Sequence, residues 1–169
     1  SLVDLASSSS QTRAFTASGN GTFAYILTSF DASGNSTASA CSSAMVVDVT
    51  APTITVTTPA ANGSYINNSN KSAITISGAC SENSRDVVLS GAISATVLCS
   101  SGSWTAAPDF TAVADGSSVT VNVNHSDAAG NAATQATRTF VKDVVAPSVA
   151  ITTPAASSSI NSAANSATF

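Results

Sequence analysis

The sequence predicts an all-β chain built as antiparallel β-sandwich repeats in tandem. Three observations carry this expectation. The chain restates itself after roughly 95 residues, its apolar residues alternate with polar ones at a spacing of two, and none of its 169 residues falls in a segment of helical period. The restatement is plain when copies are set side by side. Pro52 to Pro147 and Pro59 to Pro154 are both 95 residues, and Asp31 to Asp127 is 96. "PTITVTTPAA" (52–61) and "PSVAITTPAA" (147–156) agree at six of ten positions, and Ile54/Val149 and Val56/Ile151 keep apolar character on alternate residues. Upstream, "GTFAYILTSFD" (21–31) matches "SSVTVNVNHSD" (117–127), with Phe23, Tyr25 and Leu27 where Val119, Val121 and Val123 stand. Alternation of this kind belongs to strands with one buried face.

A period of this size exceeds that of a solenoid repeat and equals a whole small sandwich. The chain therefore divides into the closing part of one repeat (1–49), a complete repeat (50–145) and the opening strands of a third (146–169). Within the complete repeat the expected strands are 52–58, 73–80, 86–90, 94–99, 109–113, 118–125 and 135–142. Turn chemistry separates them at "NGS" (62–64), "SGS" (101–103), "ADGSS" (114–118) and "DAAGN" (127–131). Trp104 and Phe110 supply the bulk that the Val and Ala strands lack.

Composition narrows the function classes. Only 8% of residues are charged, against about a quarter in an ordinary globular protein. The net charge of −4 comes without a basic cluster, so the footprint that phosphate backbones require is missing and no nucleic-acid partner is expected. No apolar run approaches the ~20 residues of a membrane-spanning helix. "SLVDLASSSS" (1–10) has neither the basic start nor the apolar core of a signal peptide.

Cys80 shares a face with Ile74 and Ile76, and Cys99 with Val97, so both point inward. A disulfide between them would close a loop of 18 residues, stabilising by about 3 kcal/mol in the chain-entropy model; two buried thiols packing as small hydrophobes are the alternative. Cys41 has no cysteine at its counterpart near Ala136 or Thr137. Three readings stand for it: a partner in the rest of its own repeat, an intermolecular link, or a free thiol. One histidine, three scattered cysteines and no CxxC pair leave no zinc site.

The motif "DxxGN" occurs twice, at Asp31 with Asn35 and at Asp127 with Asn131. As structure, it is a tight connection in which the Asp carboxylate accepts backbone N–H bonds and Gly34 or Gly130 takes positive φ. As function, Asp and Asn oxygens are hard ligands suited to calcium, and Asp48 and Asp143, just before "VTAP" and "VVAP", would complete such a site. His125, Ser126 and Asp127 are contiguous, and strand neighbours alternate faces, so spacing alone cannot make them a catalytic triad. His125 aligns with Ser29 and is expected as a solvent-facing strand residue. No converging carboxylate pair is visible. The sequons at Asn20, Asn35, Asn62, Asn67 and Asn124 are what an Asn-, Ser- and Thr-rich chain contains by chance.

With "DxxGN" followed by "D-x-x-AP" and an alternating strand ending in "TTP", the chain resembles the bacterial Ig-like repeats of very large surface-exposed proteins, biofilm and host-contact adhesins among them. Residues 48–59 and 143–154 resemble the stretch that leaves one domain and starts the next, and 31–35 and 127–131 the late hairpin. The resemblance extends over the whole chain and implies immunoglobulin-like antiparallel β-sandwich repeats. Some such repeats bind calcium near domain junctions, which implies Asp31, Asp48, Asp127 and Asp143 as ligands.

The expected function is structural: a repeat of a secreted or surface-anchored bacterial protein, extending a stalk or fibre that presents an adhesive element. Its partners would be neighbouring repeats in the same or adjacent chains, with a surface receptor or matrix beyond them. No cofactor is required, and calcium is the ion the Asp and Asn side chains would suit. Two alternatives are a fibre subunit joined by β-strand complementation between residues 146–169 and 1–49 of successive chains, and a glycan- or protein-binding module with exposed aromatics on one face. An enzyme is not expected.

Overall fold

The computed structural model describes Thr16 and residues 18–152. Every regular element in it is a strand: β1 Gly21–Phe23, β2 Thr28–Phe30, β3 Ser36–Ala38 and β4 Met45–Val47, then β5 Ser64–Ile66, β6 Ile76–Ala79, β7 Asp86–Gly91, β8 Ala95–Leu98, β9 Ser103–Ala106, β10 Ser118–His125 and β11 Ala136–Lys142. The expected segments at 1–15 and 153–169 lie outside the described residues.

The first four strands make one long antiparallel ribbon. β1 pairs with β4 (Phe23 opposite Met45) and β2 with β3 (Phe30 opposite Ser36). Between the two pairs the ladder continues through Ser42 N–H to Tyr25 O (2.9 Å) and Ser39 N–H to Leu27 O (2.8 Å). In the reverse direction the Ser42 and Ser39 hydroxyls accept from Tyr25 and Leu27 N–H at 3.0 and 3.1 Å, so serine side chains stand in for carbonyls that have drifted out of register.

Residues 52–142, within the span expected as a complete repeat, form two facing sheets. One has the order β5-β11-β10-β7-β8, antiparallel except for the β11–β5 pair, which is parallel. The other pairs β6 with β9. Residues 52–58, expected as a strand, lie along β6 through bridges at Ile54–Cys80 and Thr58–Ser77, with Thr55 N–H to Ala79 O at 3.0 Å and Thr57 N–H to Ser77 O at 2.8 Å. Between the sheets sit Ile54, Ile66, Ile76, Val87, Leu89, Trp104, Phe110, Val119, Val121, Val123 and Phe140, all buried. Phe110 and Phe140 meet with ring centroids 5.6 Å apart, tilted by 50°, an arrangement that suits the ring quadrupoles. Each large side chain so buried stabilises by about 1.5–3 kcal/mol.

Cys80 and Cys99 are joined in a disulfide that ties the two sheets together. Trp104 is buried, and its indole N–H donates to Thr55 O at 3.0 Å. Its cross-strand neighbour is Gly78. A Cβ on Gly78 would stand 1.9 Å from Thr55 O, so only glycine lets the first segment approach β6 closely enough for that indole bond.

The strands differ from expectation in three places. Residues 109–113 form a turn: the Asp109 carboxylate accepts from Thr111 N–H at 2.7 Å, and Phe110 N–H bonds Lys71 O at 2.7 Å. The local Asx bond outcompetes ladder pairing there, while the Phe110 ring drops into the core. Conversely β5 and β9 fall at and just after expected turns. Their signals are short, and β9's inward pair, Trp104 and Ala106, includes an alanine too small to mark a strand face.

Candidate functional site at the repeat junction

Most of the candidate metal ligands of the sequence fall at the chain's exits from β4 and β11 or against them. The chain leaves β4 at Val47 and leaves β11 at Lys142, and the same turn follows both times. The Asp48 carboxylate accepts from Thr50 N–H at 3.0 Å, and the Asp143 carboxylate from Val145 N–H at 3.1 Å. A side chain from the preceding loop braces each turn. Asn20 Oδ1 accepts from Val49 N–H at 2.8 Å, and Asp115 Oδ1 from Val144 N–H at 2.7 Å. Asn20 Nδ2 also donates to Thr50 Oγ1 at 2.8 Å.

The DxxGN hairpins are likewise duplicated. In the first, Asp31 Oδ1 accepts from Asn35 N–H at 2.8 Å and from Ser33 N–H at 2.9 Å, and Oδ2 accepts from Asn35 Nδ2 at 2.7 Å. In the second, Asp127 Oδ1 accepts from Asn131 N–H at 2.8 Å and Oδ2 from Asn131 Nδ2 at 2.7 Å. Gly34 and Gly130 have φ of +89° and +93°, a region favourable for glycine alone. The Asn131 amide holds the Asp127 carboxyl below its usual range, with burial opposing and backbone N–H groups assisting. Asp31 is lowered in the same sense, first by its Asn35 partner. Asp127 is itself buried, and its carbonyl receives Arg85 Nη2 at 3.1 Å.

Of the proposed ligands, the fold brings Asp127, Asn131 and the backbone of Asp48 together: Asn131 Nδ2 donates to Asp48 O at 3.0 Å. Asp31 lies at the far tip of the first ribbon, and Asp143 stands by Ile66, whose carbonyl accepts its N–H at 2.9 Å. The donor set does not fit calcium as arranged. Both Asp127 oxygens are already turned to N–H donors, and Asn131 offers Asp48 a nitrogen. Among the described residues no three His, Cys, Asp or Glu side chains converge.

His125 is not solvent-facing. It is buried, because it continues the inward parity of Val119, Val121 and Val123 along β10. Nδ1 lies 2.8 Å from Asp86 O and Nε2 accepts from Glu82 N–H at 3.3 Å. A carbonyl can only accept and an N–H only donate, so Nδ1 is the donor, Nε2 the acceptor, and both nitrogens are engaged. The spacing-two signal was present; histidine's polarity concealed it.

Two cations went unread, Lys142, which is buried, and Arg138, which is half-buried. Lys142 is buried two residues beyond Phe140, on the same face, and its ammonium donates to Phe110 O and Thr111 O at 2.9 Å and to Val113 O. Arg138 reaches Val56 O at 2.6 Å with Nη2, pinning the first segment of the repeat. Cys41 is a free, exposed thiol.

A family model described as the bacterial Ig-like domain (group 3) matches residues 11–140. No curated protein matches the chain significantly. Among solved structures the chain is similar, at 25% identity and a TM-score of 0.43 over 75% of its length, to a Ca2+-stabilized adhesin that helps an Antarctic bacterium reach out and bind ice. At 22% identity and a TM-score of 0.42 over 72% of its length, it is similar to a tetra-tandem repeat in the extending region of a large adhesion protein. It spans 32% of the length of each of those chains.

Proposed function

The chain belongs to the bacterial Ig-like domain family, group 3, and on that footing we propose that it is a structural segment of a secreted or surface-anchored bacterial protein. It contributes links to a stalk or fibre, and the adhesive element is carried elsewhere. One observation carries this reading: the junction at 48–50 and the junction at 143–145 are built from the same hydrogen bonds, one period apart. A chain that reproduces its joints as well as its domains is organised for serial extension. The repeat limits in this reading are 1–49, 50–145 and 146–169.

The disulfide supports an oxidising, extracellular setting. The occupied nitrogens of His125 support a non-enzymatic role. Of the aromatics in residues 50–145, Trp104, Phe110 and Phe140 are buried and Tyr65 is exposed, so no cluster of exposed aromatics supports a glycan-binding module there. No cofactor is required in this reading. Unfolding midpoints that rise with calcium and fall with chelator would reinstate Asp31, Asp48, Asp127, Asn131 and Asp143 as ligands.

The test is the mass of the native protein carrying this sequence, taken from surface material before and after reduction. A reduced species far above 16.6 kDa supports the stalk; one near that mass overturns it. In the latter case a second reading takes over, joining chains by β-strand complementation. It is favoured by the exposure of Phe23, Tyr25 and Leu27 on the first ribbon together with Val149 and Ile151 beyond the second junction. Concentration-dependent association in sedimentation, lost on Val149→Lys/Ile151→Lys, is its expected outcome, and a monomer at every concentration removes it.

A further inference from the structure

We infer that the DxxGN hairpin is an inter-repeat latch, whose Asn side chain docks on the main-chain carbonyl of the Asp that leaves the preceding repeat; the closed example is Asn131 on Asp48. The inference rests on the stalk reading above and specifies how its joints are held.

Both halves of the latch are rigid before they meet. On the acceptor side, Asp48 follows β4 directly, its carboxylate closes a turn onto Thr50, and Asn20 braces Val49. Its carbonyl therefore belongs mechanically to the first ribbon. On the donor side, Asn131 is clamped to Asp127 through its backbone N–H and one amide hydrogen, and Asp127 is buried in the complete repeat. The second amide hydrogen crosses the junction to Asp48 O at 3.0 Å. The orientation of the amide is not ambiguous. Asp127 Oδ2 and Asp48 O are both pure acceptors, so the nitrogen end must face them and each hydrogen has one partner.

The repeat supplies an unlatched half of each kind. Asn35 makes the same two bonds to Asp31, and among the described residues its second amide hydrogen has no acceptor. Asp143 is held by the same turn and the same kind of brace as Asp48, and among the described residues its carbonyl has no donor. Among the described residues one latch is closed, and the donor geometry recurs at Asn35 and the acceptor geometry at Asp143. The latch also accounts for the presence of the motif in both copies: Asp holds the Asn, Gly permits the turn, and the Asn amide offers two hydrogens on one nitrogen close to the backbone.

A bond of this kind shifts the ratio of docked to undocked junctions about fivefold, equivalent to ~1 kcal/mol. The test uses the full chain, spin-labelled at the exposed Cys41 and at Ser94→Cys, with the inter-label distance distribution as readout. Asn131→Ala removes the latch together with the hairpin clamp. The exchange Asp127→Asn/Asn131→Asp keeps the clamp, with the amide now donating from position 127, and replaces the donor that reaches Asp48 by a carboxylate oxygen that can only accept. The expected result is a narrow distribution in the parent and a broad one in the exchange variant, with the unfolding midpoint of the complete repeat preserved. A distribution equally narrow in the exchange variant overturns the latch. So does broadening confined to Asn131→Ala and accompanied by loss of the fold, or a parent distribution that narrows only when calcium is added. None of these results alters the native mass, so failure of the latch and failure of the stalk reading remain distinct.

Discussion

Residues 21–30 and 117–126 carry the same alternating pattern and the same DxxGN connection, yet they meet opposite fates. Val119, Val121 and Val123 are buried at 8%, 0% and 0% exposure, whereas Phe23, Tyr25 and Leu27 are exposed at 37%, 73% and 51%. The difference lies across the sheet. β10 faces β6, β9 and the 52–58 segment, whose Ile54, Ile76 and Trp104 fill the space, while among the described residues no second sheet covers the first ribbon. A period of two marks which face of a strand can be buried; burial itself needs an opposing layer. The ribbon keeps its shape through its ladder and its turn, both of which are local.

The contrast is broken most directly by deleting apolar bulk on each side of it. Leu89→Ala should cost about 3–5 kcal/mol, the range for a fully buried leucine whose neighbours cannot collapse into the space. Leu27→Ala should move stability by no more than ~0.5 kcal/mol. Urea unfolding followed by Trp104 fluorescence reads the first, and amide exchange over 21–47 the second. Equal effects would mean that the first ribbon is covered in solution.

Reducing the disulfide comes next. Opening the Cys80–Cys99 bond should lower the stability of the complete repeat by about 3 kcal/mol and leave the ribbon's hairpin unaffected. Alkylation sharpens the comparison: Cys41 should react without reductant, and Cys80 and Cys99 only after it.

Lys142→Met is expected to cost about 2 kcal/mol, because three inward carbonyls lose their common charged donor. Amide exchange should accelerate first over 109–113, where that ammonium gathers the turn. The smallest effect is acid sensitivity. Asn131, then the neighbouring N–H groups, hold the Asp127 carboxyl below its ordinary 3.8 in the folded chain. The folded state therefore binds this proton less readily than the unfolded one. The stabilisation is complete above about pH 3.8 and is lost as pH falls through the lower folded value. Asp127→Asn should flatten that part of the acid unfolding curve, and an unchanged slope would show that the carboxylate contributes nothing there.

Much of this was legible in the chain. The β10 boundaries follow from three valines at spacing two between turn residues, and β7, β8 and β11 from Val- and Thr-rich runs closed by turn residues. The cysteine pair followed from strand parity. The misread elements share a physical cause. At 109–113 a side-chain carboxylate captures a backbone N–H and bends the chain, a competition that apolar spacing does not register. At 64–66 the strand exists only because β11, 76 residues later in the Ser64–Phe140 pair, offers it a parallel partner. His125 and Lys142 sit on apolar faces, where their polar atoms are satisfied by carbonyls and an N–H contributed from other elements.

By itself, then, the sequence determined the all-β class, the period of the repeat, the inward faces and the chemistry of the turns, because these depend on side-chain volume, polarity and backbone preference within a few residues. Only the tertiary structure decided which faces are covered, how buried polar groups are paired and that Asn131 reaches Asp48. Each of those depends on groups distant in the chain arriving within about 3 Å of one another, a condition that hydrogen bonding demands and that no local pattern encodes.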